Sequence, residues 1–129
     1  MSIPQLLACL GLVFAPAALH AQTAPTEAVR IGFDELKRGQ NVAAIQEIMA
    51  NDALSSDDPA RNINLAVAYA REGDTAQAQA HFRAALLSES RVTLQTAGGE
   101  WVDSRALARQ GLRKLERGAF EGEQFASSR

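Results

Sequence analysis

Cysteine, histidine, aromatic side chains and basic excess are all scarce in this chain. Lys and Arg total 13 against 15 Asp and Glu, a net charge of −2. A polyanion-binding domain ordinarily carries a basic excess, so nucleic acid is not expected as a partner. The single cysteine, Cys9, lies in the first segment, so no internal disulfide can form and packing alone must hold the fold. Phe, Trp and Tyr make up 5% of the residues, while Ala is abundant. That balance suits closely packed helices better than a β-sandwich, which draws on β-branched and aromatic side chains. At 129 residues there is enough chain for one domain and not for two.

Charge is also missing from the N-terminus. MSIPQLLACLGLVFAPAALHAQTAP contains no Asp, Glu, Lys or Arg, and an apolar run of 14 residues extends from Leu6 to Leu19, broken by Pro16. A bilayer-spanning helix needs about 20 such residues. A short apolar run that ends in small residues and turns polar at Gln22 is the layout of a cleaved secretory signal. Residues 1–21 are therefore expected to be a signal peptide cut after Ala21, with Ala17 as the alternative site and a buried N-terminal helix as the other reading. The n-region departs from the usual layout in having no Lys or Arg. Leu6-Leu7-Ala8-Cys9 has the look of a lipoprotein box, but only five residues precede it, too few for an apolar segment upstream. The expected location is the periplasm of a Gram-negative cell.

Beyond the signal, residues 22–118 are expected to fold as one domain containing an internal repeat. IGFDELKRGQNVAAIQEI, from Ile31, lines up with LAVAYAREGDTAQAQAHF, from Leu65. Pro25 matches Pro59, Gly39 matches Gly73, Ala44 matches Ala78 and Ile48 matches Phe82, each pair 34 residues apart. Within the second copy, Leu65, Ala66 and Tyr69 share one face of a first helix. Gly73 supplies the left-handed turn past its C-terminus. Ala78, Phe82 and Ala85 give a second helix a face at i, i+4 and i+7. Small residues at Ala66 and Ala78 allow close approach, and Tyr69 and Phe82 fill the gap. Asp58 and Pro59 suit the N-cap and first turn.

The period and these residue types resemble the tetratricopeptide repeat, over residues of about 25–58 and 59–92. Asn62 stands where that family often has Trp, and Ser90 where it often has Pro. In the first copy Glu35 replaces the Tyr and Asn51 the last small residue, as terminal repeats tolerate. The resemblance implies an all-α superhelical scaffold whose concave face holds a partner peptide or helix. The closing WVDSRALARQ segment is similar to small exported repeat proteins of Gram-negative bacteria.

After Ser90 the pattern changes. Val92, Leu94 and Thr96 alternate, Gly98-Gly99 makes a turn, and Glu100-Trp101-Val102 follows, so about 91–102 reads as a β-hairpin or a plain loop. A closing helix over about 103–117 starts at Asp103 or Ser104 and gathers Leu107, Gly111, Leu112 and Leu115 on one side. Two repeats bury too little core alone. The hairpin and last helix are expected to supply a third layer, sealed by Trp101. Residues 119–129, with Phe120 and Phe125 isolated, are expected to form a frayed tail.

Catalysis has little to work with, and an enzyme is not expected. His81 is expected to point off the packed face into solvent. Asp57-Asp58 reads as a helix cap, where negative charge is favoured. Gly98-Gly99 lacks the Lys-Ser/Thr of a phosphate loop. No cofactor or metal is implied. Chaperone-binding tetratricopeptide domains, one subtype of the family this chain resembles, grip a C-terminal carboxylate with Lys, Asn and Arg on the inner helices. The positions of that clamp here hold Val29 and Phe33 in the first repeat and Ile63 and Val67 in the second, with Asn64 alone matching in type. The clamp is therefore missing, and the expected ligand is an amphipathic protein segment on an apolar concave surface. Alternatively, these residues simply pack on the signal-proximal chain, the hairpin or the last helix. A second candidate surface is the stripe Arg105, Arg109, Arg113 and Arg117. It suits either solvent or weak contact with an anionic membrane or acidic protein. The sequence leaves the oligomeric state open.

Overall fold

The computed structural model describes Arg30 and residues 32–120. These residues are mainly α-helical, with five helices and one small sheet: α1 (Phe33–Lys37), α2 (Asn41–Ala50), α3 (Pro59–Arg71), α4 (Thr75–Leu87), β1 (Thr93–Gln95), β2 (Trp101–Asp103) and α5 (Ser104–Glu116). The expected signal segment 1–21, Val29, and the expected tail beyond Phe120 lie outside the described residues.

Local chemistry sets most of the boundaries. Asp58 caps α3 by accepting from the Arg61 backbone N–H at 2.9 Å, and Pro59 occupies the first helical turn, where no N–H is needed. Asp74 caps α4 in the same way through Gln77, at 3.1 Å, and Asp103 caps α5 through Ala106, at 3.2 Å. Gly39 and Gly73 take φ values of 73° and 83° at the turns that close α1 and α3. A side chain at either would be strained there, which is why glycine recurs at that interval. The helices that follow these turns, α2 and α4, begin at Asn41 and Thr75.

Packing follows the same rhythm. Ile48 on α2 and Phe82 on α4 are each 1% exposed, and Ala44 and Ala78, four residues earlier, are fully buried. Complete removal of an Ile or Phe side chain from water contributes about 1.5–3 kcal/mol. Ala66 and Ala78 lie in one cluster with Ala70, Phe82 and Phe120, and half-buried Val67, Tyr69, Leu112 and Leu115 pack around it. A second cluster joins Ala60 and Ile63 of α3 to Ala85, Leu94 and Ala108. The closing helix and the hairpin thus form a layer against the α3–α4 pair.

The segment after Ser90 is a hairpin. β1 and β2 pair antiparallel, with Thr93 opposite Asp103, Leu94 opposite Val102 and Gln95 opposite Trp101. Its second strand runs one residue beyond the expected boundary. Two expectations fail here. Trp101 does not seal the end of the domain; it is 69% exposed. Successive strand residues face opposite sides, and in this register Leu94 is buried with Val102 half-buried beside it, leaving Trp101 on the outer face. Nor does the chain fray directly after α5. Phe120 is only 4% exposed and stacks near Phe82, with ring centroids 6.2 Å apart. The packed unit therefore extends through residue 120.

Candidate functional site: an apolar groove with a cationic rim

On α3, residues 60, 63, 64, 67 and 71 recur at helical spacing and form one stripe. Ala60, Ile63, Asn64, Val67 and Arg71 make the floor of a cavity of about 430 Å³. One wall is α1, through Phe33, Leu36 and Lys37; the other is β1, α5 and Phe120, including Leu94, Leu107 and Lys114. Cavities of this size accommodate small ligands or a few side chains of a docked segment. Phe33, Ile63, Asn64 and Val67, the described members of the expected partner-binding set, thus line one cavity together; Val29 is outside the described residues.

They do not contribute equally. Ile63 is buried against Ala60, Ala85, Leu94 and Ala108, so it packs on the hairpin and last helix as well as lining the cavity. Asn64, Val67 and Phe33 are half-buried and present part of their surface. Arg71 ties the floor to the wall, its guanidinium Nη1 donating to the Leu36 carbonyl at 2.9 Å. Of the walls, sequence reasoning finds only Phe33. Leu36, Lys37, Leu94 and Lys114 come from three separate elements, and no spacing along the chain announces that they meet.

Charge around the cavity has one sign. The charged side chains among its described lining residues are Lys37, Arg71 and Lys114, and no carboxylate is present there. Lys37 Nζ lies 5.9 Å from the centroid of the Phe33 ring, and Lys114 Nζ lies 5.3 Å from that of Phe120. Each ammonium is thus held over an aromatic ring of its own wall.

The arginine stripe divides. Arg105 is half-buried, and its Nη2 donates to the Ser88 carbonyl at 3.0 Å, bracing α5 against the end of α4. Arg109, Arg113 and Arg117 are exposed. Nearby, Arg91 pairs with Asp103 at 2.6 Å. That hydrogen bond is the main cause holding the Asp103 carboxyl below its usual range.

His81 is not solvated as expected. Its ring stacks on Tyr69, with centroids 5.6 Å apart and planes 1° from parallel. Its Nδ1 lies 2.8 Å from Oδ1 of Asn62. Asn62 Nδ2 already donates to the Ser56 and Asp58 carbonyls, so its Oδ1 is left to accept, and His81 must carry its proton on Nδ1. Desolvation, then the Arg61 charge, lowers the His81 pKa. Asn62, buried, and His81, half-buried, thus form a polar clasp between α3 and α4.

On α1 and α2, the Glu35 and Glu47 carboxyls act on each other's protonation at the surface. The neighbouring Glu35 carboxyl is the first cause raising Glu47, whereas Glu35 is lowered chiefly by a backbone hydrogen bond. Among the described residues, no group of three or more His, Cys, Asp or Glu side chains is placed to hold a metal ion. No helix among them is long and apolar enough to cross a membrane. No family model matches the chain, and no curated protein or solved structure matches it either.

Proposed function

We propose that the chain is an exported, tetratricopeptide-like scaffold that binds a segment of a partner protein in the groove above α3. The observation that carries this reading is the convergence of Phe33, Asn64 and Val67 on one open, mostly apolar cavity. A helix that lays an apolar face into such a groove gains the burial that the groove itself lacks. The 34-residue recurrence of glycine turns and helix starts supports the repeat, and the uncharged apolar N-terminus supports export.

A photo-crosslinking side chain in place of Asn64, in the full chain expressed in a Gram-negative cell, tests the groove. The expected result is a reproducible protein adduct from the envelope that Val67→Glu abolishes. The same probe at Arg83, exposed on α4, serves as control. Equal adducts from both positions, or none, would overturn the reading. Intact mass of the periplasmic protein tests export, with loss of residues 1–21 expected.

A second reading rests on the exposure of Arg109, Arg113 and Arg117. They would hold the protein at an anionic membrane surface. It requires salt-sensitive binding to vesicles rich in anionic lipid, because exposed charges are screened within about 8 Å at physiological salt. Equal binding to neutral vesicles removes it.

A further inference from the structure

The groove's chemistry selects more than an apolar partner. Its floor offers Ala60, Ile63 and Val67, and its described charged side chains are all cations. Lys37 belongs to α1 and Lys114 to α5, so the two ammonium groups come from opposite walls. Each is positioned over a phenylalanine ring that also lines the groove. No ion pair in the described structure engages either of them, whereas Arg38 and Arg91 each have a carboxylate partner outside the groove. A segment with a basic or neutral polar flank would leave Lys37 and Lys114 uncompensated as its apolar face displaces water from the groove. An acidic flank would compensate them where screening is weakest.

We infer that the partner segment is an amphipathic acidic helix, its apolar residues on the α3 stripe and its carboxylates on Lys37 and Lys114. This rests on the groove reading above and adds the sign of the partner's charge. The spacing is consistent with it: the floor residues recur at three- and four-residue intervals, the pattern a docked helix presents in return.

The test is selection from a displayed random-peptide library against the full chain, run in parallel against a Lys37→Glu/Lys114→Glu variant. Both changes lie on half-exposed or exposed side chains, and matching circular dichroism would establish that the variant folds. Against the parent, the expected peptides carry apolar residues at helical spacing with Asp or Glu between them. Against the variant, Lys and Arg should replace the acids. A synthetic acidic peptide from the first pool should lose at least about tenfold in affinity for the variant, equivalent to about 1.4 kcal/mol. It should also weaken as salt is raised. Peptides that are apolar at helical spacing but show no charge bias would overturn the inference and leave the groove reading standing. Peptides that bind without competing at Asn64 or Val67, or no enrichment at all, would overturn both. Vesicles of anionic lipid form the last arm: if they displace the acidic peptide and bind through Lys37 and Lys114, the groove takes a lipid headgroup and the protein-segment assignment fails.

Discussion

The ring of Phe82 occupies the space into which a side chain on Gly111 would project. A Cβ at Gly111 would stand 2.7 Å from Phe82 Cδ1 and closer still to Cε1 and Cζ, well inside contact distance. Gly111 is therefore the point at which α5 comes down onto the α3–α4 pair, with the missing side chain replaced by the edge of a buried aromatic.

Gly111→Ala should destabilise the domain, although Ala is the better helix former by about 1 kcal/mol. Overpacking a closed core costs about 1–3 kcal/mol, and Phe82, which is 1% exposed, has nowhere to retreat. Urea unfolding should show a lower midpoint for Gly111→Ala and a partial return when Phe82→Leu is added. A stabilised Gly111→Ala would mean that α5 does not lie against Phe82.

His81 is a structural residue whose protonation opposes folding. His81→Ala removes the stacked ring and leaves Asn62 Oδ1 buried without its donor, a loss of about 1–3 kcal/mol. The pH dependence has a definite sign. The folded pKa is lowered from 6.5, so the unfolded chain binds the proton more tightly. The stability associated with neutral His81 is fully present above the unfolded value and is lost as pH falls through the folded one. Glu47, whose pKa is raised, contributes in the opposite sense at lower pH. The informative quantity is the difference between parent and His81→Gln, followed by urea unfolding between about pH 7.5 and 5. That difference should shrink on acidification; a difference independent of pH would contradict the clasp.

How far the sequence could be read depends on whether a signal is local. Gly39 with Gly73, Ala44 with Ala78, and Ile48 with Phe82 stand at a fixed interval, and each pair takes equivalent places in turn or core. The size of Trp101 points to burial, but its face depends on strand register, which a one-residue shift inverts. The neighbours of His81 on α4 carry no sign of its partner Asn62, 19 residues earlier on another helix. For the groove, the floor was legible as a helical stripe. Of the walls, Phe33 was legible too, but Leu36, Lys37, Leu94 and Lys114 meet there only through tertiary packing.

Phe120 should matter as much as a residue within the helices. It is 4% exposed, near Phe82 on one side and beneath Lys114 on the other. Phe120→Ala should cost about 3–5 kcal/mol if the cavity stays open, and less if Leu112 and Leu115 collapse into it. A double-mutant cycle with Phe82→Leu should return a coupling of about 0.5–1.5 kcal/mol, as for paired aromatic rings. Additive effects would place Phe120 outside the Phe82 cluster.

Trp101 offers the opposite test, of a large side chain that should contribute little. It is the single Trp of the chain, so fluorescence reports this position alone. With most of its surface in water and Gln95 as its cross-strand partner, its emission should resemble that of a free indole and be readily quenched by iodide before unfolding. Trp101→Ala should shift stability by no more than about 0.5 kcal/mol, as at a typical surface site. The same substitution made at Val102, which pairs with Leu94, should cost more, because it removes a half-buried side chain on the inner face. If the two variants exchange roles, the hairpin is paired one residue out of the register Leu94 opposite Val102. The β1 wall of the groove, through Leu94 and Gln95, would then have to be redrawn with it.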